Sequence, residues 1–235
     1  MAIDDTYTKA LLHMDGADAS TTFTDESGKE WTPRGNAQID TAQYKFGGAS
    51  LFLDGNGSYI DSPDSDDWQL DGGSDSNEWT IDFWIRFNGD PGTNVRSLFS
   101  QFVNTSNLLA VFLYNNTIYF YVVSGGSAII YFTVPWDPAS ATWYHLAFVK
   151  QGTTGYKIFV DGSQVGSTTT DTSPLPNLAA VFRVGVHTYS DGTTYYHNGW
   201  IDELRISKGI ARWTANFTPP TREYGGGGQV IIWSE

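Results

Sequence analysis

The side chains able to do chemistry in this chain are carboxylates, imidazoles, hydroxyls and aromatic rings, because its 235 residues include no cysteine. Thiolate nucleophiles, thiolate metal sites and disulfides are thereby excluded. A retaining glycosidase needs two carboxyl groups about 5–5.5 Å apart, which alternate positions on one strand can supply. Glu78 and Asp82 stand four apart, with Trp84 at the next position on that face, while Asp202 and Glu203 are adjacent. Adjacent strand residues are expected on opposite faces, so neither pair suits acid–base work on one glycosidic bond. Of the four histidines, His145 lies inside an apolar run and reads as structural, and His187 and His197 flank a tyrosine-rich segment; His13 is the fourth. No G-x-S-x-G elbow, H-E-x-x-H pair, P-loop or Rossmann glycine run occurs. The expectation is a protein that is not an enzyme.

Binding chemistry is better represented. Sugars are held by aromatic faces against their C–H surfaces and by carboxylates, amides or guanidinium groups at their hydroxyls. Two sets of residues combine these. Asp82, Trp84 and Arg86 alternate along one run and share its outward face, with Tyr119, Tyr121 and Tyr131 as companions beside them. The second set is the segment 187–198, which carries His187, Tyr189, Tyr195, Tyr196 and His197 and is longer than a hairpin needs. The competing reading of both sets is packing, the usual role of aromatic residues in strands. A third candidate, Asp61–Glu78, holds seven acids and no Lys or Arg; it reads as a solvated loop, with metal binding as the sharper alternative.

The elements that must position these residues are strands. In Trp79–Phe87, residues Trp79, Ile81, Phe83, Ile85 and Phe87 fall on one face and Thr80, Asp82, Trp84 and Arg86 on the other. Similar runs predict strands over 108–114, 118–123, 128–134, 143–150, 156–160, 180–186 and 200–206. Asn115-Asn116, Gly125-Gly126 and Asp161-Gly162 read as hairpin turns, and so does Asp54-Gly55-Asn56-Gly57. Lys208–Trp213 is the one helical turn expected. Many short strands with such turns imply an all-β fold of two packed antiparallel sheets.

Thirteen basic against 26 acidic side chains give a net charge of −13, which argues against nucleic acid or an anionic membrane as partner. The opening MAIDDTYTKA has no basic segment followed by an apolar run, so no secretory signal is expected there, and no eighteen-residue apolar stretch occurs. Gly225–Gly228 reads as a flexible linker, dividing the chain into a domain over 1–224 and a tail over 225–235. Ile231, Ile232 and Trp233 in that tail would be sticky if left in water. Docking on a sheet edge is the expected solution, through homo-oligomer contacts or attachment to a larger assembly.

Several segments, taken in order, resemble the laminin-G-like modules of the concanavalin A-like lectin/glucanase superfamily. They are Leu11–Gly16, Phe46–Leu51, Trp79–Trp84, Trp143–Val149 followed by Tyr156–Gly162, and Gly199–Ser207. Gly209–Thr214 and Phe217–Pro220 look like the subset found in phage and bacterial proteins. The resemblance covers about residues 8–223 and implies a jelly-roll sandwich with a concave and a convex sheet. It also implies one structural calcium ion, with Asp202 matching the family's ligand position, Asp15 as partner and carbonyls near Gly47-Gly48 completing the set. The fold itself carries lectins, hydrolases and structural modules alike. The leading expectation is a recognition or adhesion module that binds a glycan or host-surface ligand and works on a virion surface or extracellularly. The alternative is a structural decoration protein contacting other virion or surface proteins.

Overall fold

The computed structural model describes residues 5–225. In chain order its strands are β1 (Thr8–Leu12), β2 (Thr32–Arg34), β3 (Gln38–Asp40), β4 (Ser50–Asp54), β5 (Tyr59–Ser62), β6 (Trp79–Phe87), β7 (Arg96–Asn104), β8 (Asn107–Tyr114) and β9 (Thr117–Ser124). They continue with β10 (Ser127–Pro135), β11 (Trp143–Gln151), β12 (Gly155–Val160), β13 (Ser163–Thr169), β14 (Phe182–Val184), β15 (Val186–Thr188), β16 (Thr194–Tyr196) and β17 (Asn198–Lys208). One sheet runs β13-β12-β11-β6-β17-β4-β3, with β1 also beside β17. The second runs β10-β9-β8-β7-β14-β5-β2, and β15-β16 form a separate hairpin. All pairings are antiparallel, giving the jelly-roll sandwich.

The alternation in β6 sets the core. Trp79, Ile81, Phe83, Ile85 and Phe87 are buried between the sheets. There Trp79 stacks on Phe120 of the facing sheet at 6.1 Å, and Phe148 meets Phe99 edge-on at 5.2 Å. Each such side chain contributes roughly 1.5–3 kcal/mol by leaving water. The three hairpin turns at Asn115-Asn116, Gly125-Gly126 and Asp161-Gly162 hold both residues at positive φ, which matches the twist of the strands they join.

Four expectations need correction. Asp54–Gly57 is no hairpin, because β4 and β5 belong to different sheets and the turn carries the chain across the sandwich. Lys208–Trp213 forms no helix; β17 ends at Lys208 and the chain continues as irregular backbone over the first sheet. The run 180–186 divides at Gly185 (φ 87°), where β14 ends and β15 begins. The acidic segment 61–78 is partly internal: Trp68, Leu70 and Asp71 are buried, and the Asp71 carboxylate accepts from Leu175 N at 2.6 Å. Among the described residues no group of three or more His, Asp or Glu side chains forms a metal cluster. The proposed tail, with Ile231, Ile232 and Trp233, lies outside the described residues.

The outer face of the first sheet is closed over around Asp82, Trp84 and His145. Asp82 is fully buried there and receives a two-pronged hydrogen bond from Arg205, Nε to Oδ1 at 3.1 Å and Nη2 to Oδ2 at 3.3 Å. Tyr224 donates its hydroxyl to Asp82 and lays its ring 3.8 Å from the Arg205 guanidinium. Trp213 and Phe217 stack at 4.1 Å and cover His145 edge-on. Trp84 is closed over by Phe46 at 5.7 Å and by the Lys45 ammonium 3.9 Å from its ring. Asp82 and Trp84, expected on an outward binding face, are therefore structural.

Burial by itself would raise the Asp82 carboxyl, but the Arg205 charge and then His145 and Tyr224 more than reverse that and hold it at about 2. Its folded value lies below the ordinary one, so its stabilisation is present above pH ~4 and disappears as pH falls towards 2. The amount is about 2 kcal/mol. Arg205→Met leaves the carboxylate buried and unpaired, and urea unfolding at pH 7 is expected to show a loss of about 3–5 kcal/mol. A loss below about 1 kcal/mol would contradict this account of the closed-over region.

Candidate ligand-binding site

The open face belongs to the second sheet, and a β-bulge builds its site. In β7, Ser97 pairs with Phe112 and Ser100 with Ala110, with the register slipping by one residue between Ser97 and Phe99. The slip lets Leu98 and Phe99 both enter the core while Ser97 and Ser100 share the outer face. Both serines donate outward, Ser97 Oγ to Tyr195 O and Ser100 Oγ to Val186 O, each at 2.7 Å. These bonds pin the β15–β16 hairpin across the sheet. Small residues at 97, 100 and 110 leave the room beneath it.

The hairpin adds rings to those of the sheet. Tyr119 stacks on Phe112 at 4.9 Å, Phe112 on His187 at 4.4 Å, and His187 on Tyr195 at 5.3 Å. A second pair, Tyr121 and Tyr189, stacks at 5.1 Å, with Tyr131 edge-on to Tyr121 at 5.8 Å. Parallel piles offer their interior rings only by the edge, so open ring faces belong to the ends of the piles. Beside them is a cleft of about 720 Å³, lined among others by Arg96, Tyr119, Tyr189, Tyr195 and Tyr196. Asp191 sits at its rim with its carboxylate accepting from Thr193 N at 2.8 Å.

His187 is fully buried in the floor, and its proton is assigned by its neighbour. The Ser97 hydroxyl spends its hydrogen on Tyr195 O, so at 2.7 Å it accepts from His187 Nδ1–H. This is the reverse of a serine nucleophile, which would donate to its histidine. Nε2 is then a bare acceptor, buried without a partner among the described residues. Burial pushes the His187 imidazole down to about 3, and burial, then the Arg96 charge, does the same for His197.

The structure regroups the residues expected to bind. Tyr119, Tyr121 and Tyr131 leave Asp82, Trp84 and Arg86 and join Tyr189, Tyr195 and Tyr196, because the two sets lie on opposite sheets. Arg86 is half-buried over the Trp200 ring at 5.0 Å. His197 is inaccessible, packed 5.5 Å from Phe87. Phe112, Arg96 and the two serines escaped the sequence reading. The doubled apolar pair Leu98-Phe99 hid strand β7, and it is also the signal that could have disclosed the bulge.

The four carboxylates weighed for hydrolysis are occupied elsewhere. Glu78 accepts from Ala211 N at 3.2 Å, and Asp82 is ion-paired. A second bulge, at Glu203 (φ 52°), breaks the expected opposition of Asp202 and Glu203. Asp202 accepts from the amides of Lys45 and Phe46, and Glu203 from the amide of Tyr224, so both meet the segments covering the outer face.

Asp202 also bears on calcium. Its Oδ1 is buried without a partner among the described residues, and burial, with the charges of Glu203 and Asp15 adding, raises the group to about 8. The Asp15 carboxylate lies against Gly47, where any side chain would collide with it, and burial first, then Glu223, raises Asp15 as well. Two carboxylates beside one loop, one buried and one exposed, suit a hard cation that takes six to eight oxygens. Main-chain carbonyls would have to supply much of the shell, and Gly48, at φ 101°, has open space where a Cβ would stand.

A laminin-G family model described as the concanavalin A-like lectin/glucanases superfamily matches residues 54–212, and the chain belongs to this family. No curated protein matches it in sequence. Among solved structures it is similar to the receptor binding domain of botulinum neurotoxin C/D mosaic serotype, at 15% identity and TM-score 0.63, covering 89% of this chain and 49% of that one. The binding domain of botulinum neurotoxin DC in complex with SialylT matches at 16% identity and TM-score 0.61, covering 88% and 49%. Domain 4 of an extracellular arabinanase from Geobacillus stearothermophilus, in complex with arabinotriose, matches at 20% identity and TM-score 0.62, covering 87% and 93%. The chain spans about half the length of the neurotoxin domains. At these identities the likeness is one of fold.

The buried imidazoles yield a direct check. Their folded values lie below the ordinary 6.5, so the neutral forms persist well into acid. Stability that depends on them is full above pH ~6.5 and declines as pH falls towards 3, because the unfolded chain takes up the protons. In NMR titration from pH 8 to 5, the ring resonances of His187 and His197 are expected to stay fixed. A midpoint near 6.5 for His187 would show that the floor of the cleft is wet.

Proposed function

We propose that the chain is a non-catalytic carbohydrate-binding module whose ligand lies in the cleft between the β15–β16 hairpin and the outer face of the second sheet. The observation that carries this reading is the grouping of Tyr119, Tyr189, Tyr195 and Tyr196 around one cleft. Aromatic walls with hydroxyls and amides at the rim are the chemistry that holds a sugar ring. The reversed Ser97–His187 hydrogen bond supports a role without catalysis. Similar folds in complex with arabinotriose and with SialylT support a sugar as the ligand class. A setting on a phage virion or a bacterial surface, with other surface proteins as partners, rests on the resemblance of Gly209–Thr214 and Phe217–Pro220. Asp202, Asp15 and loop carbonyls near Gly48 hold a structural calcium ion in this reading; the orphaned Asp202 Oδ1 favours it.

Titration calorimetry with a panel of neutral oligosaccharides is expected to find a binder, and Tyr189→Ala or Tyr196→Ala to weaken it about tenfold, near 1.4 kcal/mol. Arg86→Ala, on the opposite sheet, leaves that affinity unchanged. No binding across the panel, with retention on a purified assembly, would favour a purely structural surface protein instead.

The ion has its own test. Calcium at about a hundred times its dissociation constant adds about 2.7 kcal/mol, which raises Tm by about 5–10 °C in a domain of this size. Chelator reverses the rise, and Asp202→Asn abolishes it. A Tm indifferent to both calcium and chelator removes the ion from the account.

A further inference from the structure

Arg96 is the one feature of the cleft that neutral-sugar binding leaves unexplained. Arg96, half-buried at the start of β7, is among the residues lining the cleft, in a molecule that carries twice as many acids as bases. Nη2 donates to the Asp90 carbonyl at a long 3.3 Å, whereas Nε is buried and has no partner among the described residues. The Asp90 carboxylate is close enough for its charge to act on Arg96 but forms no ion pair with it among the described residues, and its Oδ1 accepts from Gly92 N at 2.8 Å. The remaining charge on the described lining, Asp191, stands in solvent at the rim. Tyrosines supply the other walls. The cleft therefore holds a cation with unspent donors, placed among ring faces and edges.

Resting on the carbohydrate reading above, we infer that the cleft selects an acidic sugar, with the ligand's carboxylate on Arg96 and its ring against the tyrosines. A planar carboxylate matches the donor fork that a guanidinium presents through its terminal nitrogens. A neutral sugar can offer only single hydroxyls to the same group. The acidic unit can be a uronic acid within a polysaccharide or a terminal sialic acid. Both present one carboxylate beside an apolar ring surface. The arrangement also fits the net charge of the protein. Attraction at long range is absent, so the selectivity must come from contact with Arg96 inside the cleft.

The test uses the full chain and two matched pairs in titration calorimetry at about 0.15 M salt: trigalacturonate against its methyl ester, and 3′-sialyllactose against lactose. In at least one pair the acid is expected to bind tenfold or more tighter than its neutral counterpart. The pair that shows the preference identifies the source of the carboxylate. Arg96→Gln is expected to erase the difference while leaving the neutral ligand's affinity in place, and Arg96→Lys to restore part of it. Circular dichroism and Tm establish that the variants fold; if Arg96→Gln does not, the acid-to-ester ratio in the unaltered chain decides. Equal binding within both pairs, or a preference that survives Arg96→Gln, overturns the inference. Neutral oligosaccharides bound at the tyrosines with no preference for acid would sink this inference and spare the carbohydrate reading. Failure of all four probes and of the neutral panel would sink both.

Discussion

The pairing of Asp82 with Arg205, out of reach of water, decides which side of this sandwich is closed. A buried carboxylate is tolerated only when its charge is met and its oxygens are bonded. Both oxygens of Asp82 receive the Arg205 fork, and Tyr224 adds its hydroxyl. Tyr224 lies more than a hundred residues further along the chain, so the covering segment 209–224 cannot leave without exposing the pair. Arg212 fastens the same segment to Asp5, Nη1 to Oδ2 at 2.8 Å. With one outer face closed in this way, the opposite face is left to present the aromatic cleft.

Two single-residue bulges produce both halves of that arrangement. The bulge at Glu203 advances β17 by one residue, so that Arg205, instead of Leu204, stands opposite Asp82. Leu204 turns into the core by the same step. The bulge beside Leu98 does the equivalent in β7, sending Leu98 and Phe99 inward and leaving two serines outside to hold the hairpin. Each bulge costs a ladder bond locally and re-aims a polar side chain that strict alternation would have misplaced.

The hairpin anchored by those serines is held at both its base and its tip. Its base is tied by two side-chain bonds and by His187 stacked between Phe112 and Tyr195. Its tip, Tyr189–Thr193, is closed by Gly192 N to Tyr189 O at 2.9 Å and by the Asp191 carboxylate. Tyr189 is fixed at one ring face by Tyr121, which leaves its opposite side toward the cleft. Ring placement thus depends on packing below and on turn chemistry above.

Sequence alone determined the class of fold, because period-two alternation and paired left-handed turn residues act within a few residues of one another. β6, β9 and the hairpins at Asn115-Asn116, Gly125-Gly126 and Asp161-Gly162 were legible for that reason. The tyrosines and His187 of the cleft were also visible as residues suited to binding. Their grouping was not. Alternation says that Asp82 and Tyr119 both point away from a core, but not that they point away on opposite sheets. Nor does it show that residues 45–46 and 209–224 cover one of those faces, since coverage is a contact between distant segments. The bulges at Leu98 and Glu203 reverse the facing of every residue beyond them, so local periodicity misread Glu203 and missed β7. Which polar groups lie buried, which rings stand open, and why Arg96 keeps an unspent donor were decided by tertiary structure, where segments far apart in the chain compete for the same surface.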